Sequence, residues 1–233
     1  SPGMVDQIAA RGVPAHKLHL SLNGTELDRF RPAEAARPPG PLRCVYAGAL
    51  GQANAVPALL DAWALFAQTP EGADAQLVVY GWGRDEALIR NRLAKEPALK
   101  HVQLYPPLPK DELARLLPAY DVGVCVFADY PVLATNSANK WYDYLASGLP
   151  VLQNYGGWQA QWLAEWRCGL ATAPGDTQAF AQGFRFLAQN PSQRQEMAVQ
   201  ARKLAVARLG RAQQARQVLH LLQGVAAREK TVY

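Results

Sequence analysis

Short apolar runs rich in β-branched residues alternate along this chain with longer stretches whose apolar positions recur at helical spacing. Asp121-Val-Gly-Val-Cys-Val-Phe127 is the clearest strand. Others fall at 42–48, 76–80, 101–105, 150–153 and 168–172. Helices are predicted at about 54–67, 84–95, 110–118, 139–147 and 157–166, and they fill most of 176–229. Strand–helix alternation of this kind implies crossover units, hence a doubly wound α/β fold with a mostly parallel sheet covered on both faces. Ligands of such sheets bind at the carboxyl ends of the strands, where strand order reverses. The loops after residues 48, 80, 105, 127 and 153 are therefore where chemistry is sought.

Before the first strand, Met4–Arg11 reads as a helix, 17–22 as a strand and Asn23-Gly24 as a turn. A proline-rich connector at Arg31–Pro41 follows and looks like a boundary between modules. The chain starts abruptly, as if a preceding module were missing.

Composition excludes several classes. Of 233 residues 49 % are hydrophobic, too many for a disordered chain. No apolar run reaches the roughly 18–20 residues of a membrane span, and no signal-peptide pattern is present. A soluble, cytoplasmic protein is expected. Three cysteines, an odd number, exclude a complete disulfide framework, and Cys44, Cys125 and Cys168 sit among apolar or small residues as core thiols do. The four histidines form no ligand motif, so no metal site is expected. From Arg194 onward eight basic residues face only Glu196 and Glu229, which exceeds the net +5 of the whole chain and leaves the remainder near neutral. Few aromatics interleave with these charges, which argues against nucleic acid and for a solvated helical face.

Three segments carry candidate chemistry. Gly48-Ala-Leu-Gly51-Gln-Ala-Asn54 joins the first strand to its helix, where backbone can approach a phosphate; without Gly-Lys-Ser/Thr it is not a Walker A loop. Gly81-Trp82-Gly83 lacks the third glycine of a dinucleotide fingerprint, since Glu86 stands there. In the third segment, Thr135, Asn136, Ser137 and Asn139 open a helix and offer capping oxygens. Lys140 in its first turn opposes the helix dipole unless an anion sits there. Asp143, one turn on, can share the face of Asn139 and Lys140. A cation for phosphate beside a carboxylate for vicinal hydroxyls suits a nucleotide-sugar. A plain capped helix with a surface Lys140–Asp143 pair is the simpler alternative. Trp158, Trp162 and Trp166 repeat at helical spacing and read as core or interface.

Ala138-Asn-Lys-Trp-Tyr-Asp143-Tyr-Leu-Ala-Ser-Gly148-Leu-Pro150-Val resembles the "PNKl.eYlAsGkPV" block of retaining GT-B glycosyltransferases of the family 4 type, specifically their C-terminal domain. These enzymes build bacterial surface polysaccharides. Asn23-Gly24 through Phe30 and Pro32, Val45–Gly51, Leu77–Gly83 and Gly169–Asp176 are similar to other family segments, so the resemblance covers nearly the whole chain.

The resemblance implies a Rossmann-like nucleotide-sugar domain over 41–233. Residues 1–40 would be the tail of a missing N-terminal, acceptor-binding domain plus the connector. It implies a donor site of Gly48, Gly51, Gly81, Leu108, Thr135, Asn136, Ser137, Asn139, Lys140 and Asp143, with Lys140 and Asp143 as catalytic residues. Asp143 replaces the family's second motif Glu and would hold the ribose; Thr135 replaces the first Glu. Ala49 and the Ala53–Asn54 region replace two diphosphate cations, leaving Lys140, the adjacent helix start and the Gly51 backbone to compensate. The base would lie at the Tyr105–Leu108 loop. The implied donor is a UDP-sugar rather than a GDP-sugar, carrying a hexose or N-acetylhexosamine, with no metal or other cofactor. The acceptor would be a glycan or lipid-linked saccharide, and the basic tail would suit peripheral contact with the inner membrane face. The rivals are half of a sugar-nucleotide epimerase, a non-catalytic scaffold domain and, last, a nicotinamide dehydrogenase.

Overall fold

Six strands form the sheet, and its inner four each bury three residues or more in succession, as strands covered on both faces must. The six are β1 (Arg43–Ala47), β2 (Gln76–Tyr80), β3 (Val102–Tyr105), β4 (Val122–Cys125), β5 (Val151–Gln153) and β6 (Gly169–Ala171). All pair in parallel, in the order β3-β2-β1-β4-β5-β6. The order reverses between β1 and β4, so the crevice of this doubly wound sheet opens above their carboxyl ends. The computed structural model describes residues 1–35, 38 and 40–229, the last four by backbone alone. Ala36, Arg37 and Pro39 of the expected connector, and Lys230 of the basic tail, lie outside the described residues.

The helices are α1 (Pro2–Ala9), α2 (Val56–Ala67), α3 (Glu86–Lys95), α4 (Lys110–Leu116), α5 (Asn139–Ala146), α6 (Trp158–Glu165), α7 (Thr177–Gln189), α8 (Pro191–Arg208) and α9 (Arg211–Glu229). Strand alternation divides the core in two. Cys44, Tyr46, Leu77 and Val79 pack with α2, α3 and α7, where Trp63, Phe66 and Phe184 meet at ring separations of 5.1–5.7 Å. Val45, Val78 and Cys125 pack on the opposite face with α4, α5, α6 and α8. Burying each large aromatic contributes about 2–3 kcal/mol, so both layers are strongly fixed. All three cysteines are buried in this core, and among the described residues no helix is long and apolar enough to cross a membrane.

Two sequence expectations need correction here. Residues 17–22 do not form a strand: a 3-10 turn covers Ala15–Lys17 and the chain then runs irregularly. Their leucines alternate, but among the described residues no strand pairs with them, and the Leu22 amide donates to the Gln214 side chain instead. The basic C-terminal region is not wholly a solvated face either. Arg202 turns inward to donate to the carbonyls of Phe30, Ala146 and Leu27, and Arg194 donates to Leu187. Guanidinium groups serve this role well because their fixed fork reaches several acceptors at once.

Thr25 and Gly210 form a parallel bridge. The Thr25 amide donates to Leu209 O at 2.7 Å, and the Arg211 amide donates to Thr25 O at 2.8 Å. Gly24 has φ +65°, and a Cβ there would lie 3.0 Å from the Arg211 backbone, so glycine is needed for this approach.

Candidate functional site

The switch point between β1 and β4 is walled by the loop after β1 and the start of α5. The Ala47 amide donates to Tyr144 Oη at 2.7 Å, fixing α5 to the end of β1. Lys140 lies one turn earlier on the same face and reaches over the glycine loop. Its Nζ stands 4.0 Å from the centre of the Tyr46 ring and donates to Asn54 Oδ1 at 3.3 Å. A Cβ on Gly48 would come within 2.6 Å of that nitrogen, so the lysine occupies the space the glycine leaves. Burial pushes the Lys140 ammonium down to about 8, and among the described residues no carboxylate pairs with it. The loop is further anchored to the segment after β4, through Ala128 N to Ala53 O at 3.0 Å and Gln52 Nε2 to Tyr130 Oη at 2.8 Å.

Asp143 faces different neighbours. The residue is only 4 % exposed. Oδ1 accepts from Thr25 Oγ1 at 2.7 Å, and Oδ2 lies 3.5 Å from Lys110 Nζ. Burial raises its pKa, opposed by the Thr25 hydrogen bond and the charges of Lys110 and Arg211. The expected shared face with Lys140 is therefore not realised. The two charges point to separate partners, and the surface-pair alternative fails for the same reason. A three-residue offset on α5 leaves about 60° between the side chains, which suffices to send them to different walls.

The capping expectation also needs correction, because no side chain caps α5. Asn136 Oδ1 accepts from the Ser137 amide at 2.7 Å, and Ser137 Oγ meets Tyr142 Oη at 2.6 Å. Thr135 Oγ1 donates to Val132 O at 2.7 Å, while Asn139 Oδ1 accepts from Asn23 at 2.9 Å. These short polar side chains bond locally or across to Asn23, in competition with the helix start.

Gly51 is extended, with nothing within 4 Å of where a Cβ would sit. Gly81 has a packing reason to be glycine: a Cβ would lie 2.1 Å from the Gly48 carbonyl. Leu108 is half-buried between β3 and α4, and no described hydrogen bond or ion pair brings its loop to Lys140. That loop's contribution is Lys110, which the sequence reading missed. Its signal was the one used for Lys140, a lysine at a helix start where the dipole disfavours it. Tyr46 and Thr25 were missed too; Thr25 lies 118 residues from Asp143, and no local pattern announces the contact. Trp158 is core, ringed by Trp141, Tyr142 and Trp162 at 5.4–6.3 Å.

Solved structures share this fold. The C-terminal domain of the glycosyltransferase LpcC from Francisella tularensis aligns over 80 % of this chain and 99 % of its own, with a TM-score of 0.68 and 16 % identity. Anabaena HepE in complex with UDP-glucose aligns over 96 % of this chain with a TM-score of 0.77 and 15 % identity. The pneumococcal O-GlcNAc transferase GtfA in complex with UDP and GlcNAc aligns over 88 %, with a TM-score of 0.66 and 17 % identity. This chain spans 62 % of the HepE chain and 38 % of the GtfA chain. No curated protein matches by sequence. The model of the family "Glycosyl transferases group 1" matches residues 41–190, the span from the start of β1 to the end of α7 that builds the sheet and both walls of the crevice. With more than half its length inside that match, the chain belongs to the group 1 glycosyltransferases.

Proposed function

We propose that the chain is the donor-binding part of a retaining glycosyltransferase. It takes a hexose or N-acetylhexosamine from a UDP-sugar for transfer to a growing glycan such as a lipid-linked polysaccharide. The observation that carries this reading is the acid-free Lys140 ammonium, held over Gly48 at the reversal of strand order and in the first turn of α5. A partly buried ammonium without a carboxylate is costly until an anion joins it, and a diphosphate supplies one. The free backbone N–H groups at the start of α5 add to the same field.

Charge gathers on the departing diphosphate as the glycosidic bond breaks. Lys140 and the helix start are positioned to stabilise that charge in the transition state, without reorganising. Asp143 would receive the ribose hydroxyls. Thr135 to Asn139 and the backbone at Gly48 and Gly51 would line the phosphate and sugar, with the base near Leu108. No protein nucleophile is needed if the phosphate oxygen takes the acceptor proton on the same face. Supporting UDP as the nucleotide are the complexes of HepE with UDP-glucose and of GtfA with UDP and GlcNAc.

On this reading residues 1–40 lead from an acceptor-binding module and 41–233 form the donor module, so the chain alone binds nucleotide but transfers little sugar. The exposed Leu219 and Leu222 of α9, beside exposed Arg211 and Arg216, suit peripheral contact with an anionic membrane. Calorimetric titration with UDP, GDP and NAD tests the proposal. UDP is expected to bind selectively, and Lys140→Gln to weaken it about 10- to 100-fold, the loss of one charge-assisted contact. Binding of NAD alone, or of none of the three, would overturn the reading.

A further inference from the structure

A cleft of about 550 Å³ lies at the end of the sheet opposite the crevice, a size that suits a small molecule. Its lining includes Tyr120 and Asp121, which lead into β4, and Ser147 to Leu149, which lead into β5, so it opens at the amino ends of those strands. The face of α8 that carries Arg194, Ala198 and Arg202 supplies a second wall, and Pro32 and Ala33 complete the cleft. The three parts touch: a Cβ on Gly148 would lie 3.1 Å from the Pro32 ring and 3.7 Å from the Ala198 carbonyl. Leu149, Ala198, Val199 and the prolines give it apolar walls.

Its charge is one-sided. Arg194, Arg202 and Lys203 line it, against Asp121 as the one carboxylate among the described residues of the lining. Asp121 already accepts from the Arg43 amide at 2.8 Å and stands 3.9 Å from Arg194. Arg202 donates to the carbonyls of Leu27, Phe30 and Ala146, neutral acceptors that leave its charge uncancelled. Among the described residues no carboxylate pairs with Arg202 or Lys203. Ser147, 2 % exposed, has a hydroxyl with no partner among the described residues. Unpartnered buried hydroxyls are uncommon, and this one adjoins the carbonyl that Arg202 binds.

We propose that this cleft binds a small amphipathic anion, its anionic head at Arg202 and Lys203 and its apolar body running along α8 toward Arg194. Eight residues of helix separate the two ends, about 12 Å, which gives room for a ring or a short chain. Neither part of the ligand suffices alone. A bare anion leaves the apolar walls unused, and exposed cations hold it only weakly in salt. An uncharged body leaves two cations unanswered. The site is independent of the donor-binding reading, because it lies at the other end of the strands from Lys140.

The probe is anilinonaphthalene sulfonate, an aromatic body with one sulfonate, whose fluorescence rises on entering an apolar site. Hexyl phosphate is expected to displace it, while hexanol and inorganic phosphate at the same concentration are not. Lys203→Ala is expected to weaken the probe about three- to tenfold, the loss of one charge contact at a half-open site. Val199→Glu sets a carboxylate into the cleft and is expected to weaken it further. Both side chains are exposed, so both variants keep the fold, which circular dichroism checks. Arg216→Ala removes a cation beside the exposed leucines of α9 and is expected to change nothing. Hexanol or inorganic phosphate displacing the probe as well as hexyl phosphate does overturns the amphipathic anion. Equal losses in Arg216→Ala and Lys203→Ala, or displacement of the probe by UDP, put the probe elsewhere and overturn the site. Absence of probe binding overturns it as well, and the donor-binding reading stands in every case.

Discussion

Tyr144 accepts a 2.7 Å hydrogen bond from the Ala47 amide, so the last residue of β1 and the third-from-last residue of α5 are held at a fixed distance. Lys140 owes its reach over the glycine loop to this contact. Tyr144→Phe leaves a buried amide without a partner and is expected to cost about 1–3 kcal/mol of stability. Urea unfolding measures that loss. The same variant should weaken UDP binding, because α5 can then drift from the loop.

Lys140 makes the site pH-sensitive. Its folded pKa lies at about 8, below the unfolded value, because burial disfavours the charged form. The folded state therefore binds fewer protons between those two values, and stability rises as pH climbs from about 8 toward the unfolded pKa. At pH 7 the charged amine is a liability in the empty protein, so Lys140→Met is expected to stabilise it by an amount on the order of 1–3 kcal/mol. Nucleotide binding follows the opposite trend in the wild type. UDP affinity should fall as pH rises through about 8 and the amine loses its charge, and the pH dependence should vanish in Lys140→Met. Calorimetry across that interval reads both.

Two glycines separate packing from function. At Gly48 an added Cβ meets the flexible end of Lys140 at 2.6 Å, whereas at Gly81 it meets the Gly48 carbonyl at 2.1 Å. Gly48→Ala should fold with near wild-type stability while displacing Lys140, and lose UDP affinity about tenfold. Gly81→Ala forces backbone to move and should cost about 2–4 kcal/mol before any ligand is considered. Melting temperature and UDP titration on the two variants give opposite rankings if this is right.

Ala55 turns the glycine loop into α2 with φ 43° and ψ 39°, a left-handed conformation that a Cβ disfavours. Ala55→Gly is expected to stabilise the protein by about 1 kcal/mol, the relief of that strain less the entropy of a freer unfolded chain. Denaturant titration decides the sign.

The strands and helices of the sheet were legible because each obeys a single period. Asp121–Phe127 reads as a buried strand from its own residues, and β4 lies within it. The strand expected at 17–22 shows the limit of such reading. Leu18, Leu20 and Leu22 alternate as strand residues do, but a strand needs a neighbour, and pairing is not written in local periodicity. Lys140 was legible from helix electrostatics alone. The direction of Asp143 was not. It depends on Thr25, which the fold delivers from far along the chain, and on Lys110, which arrives from the other side of the sheet's crevice. Local chemistry names the residues that carry charge; which of them meet is a property of the topology.

The bridge between Thr25 and Gly210 gives the sheet body a common doorway. A body whose way in and way out touch can be lifted as a cassette into another chain, or have its ends joined and reopened elsewhere, with little disturbance of its interior. It also means that a pull applied through α1 or α9 converges on one junction, where the backbone bonds of Thr25 are joined by those of Leu22 to Gln214 and Asn23 to Asn139, and the strands are spared until that clasp gives way.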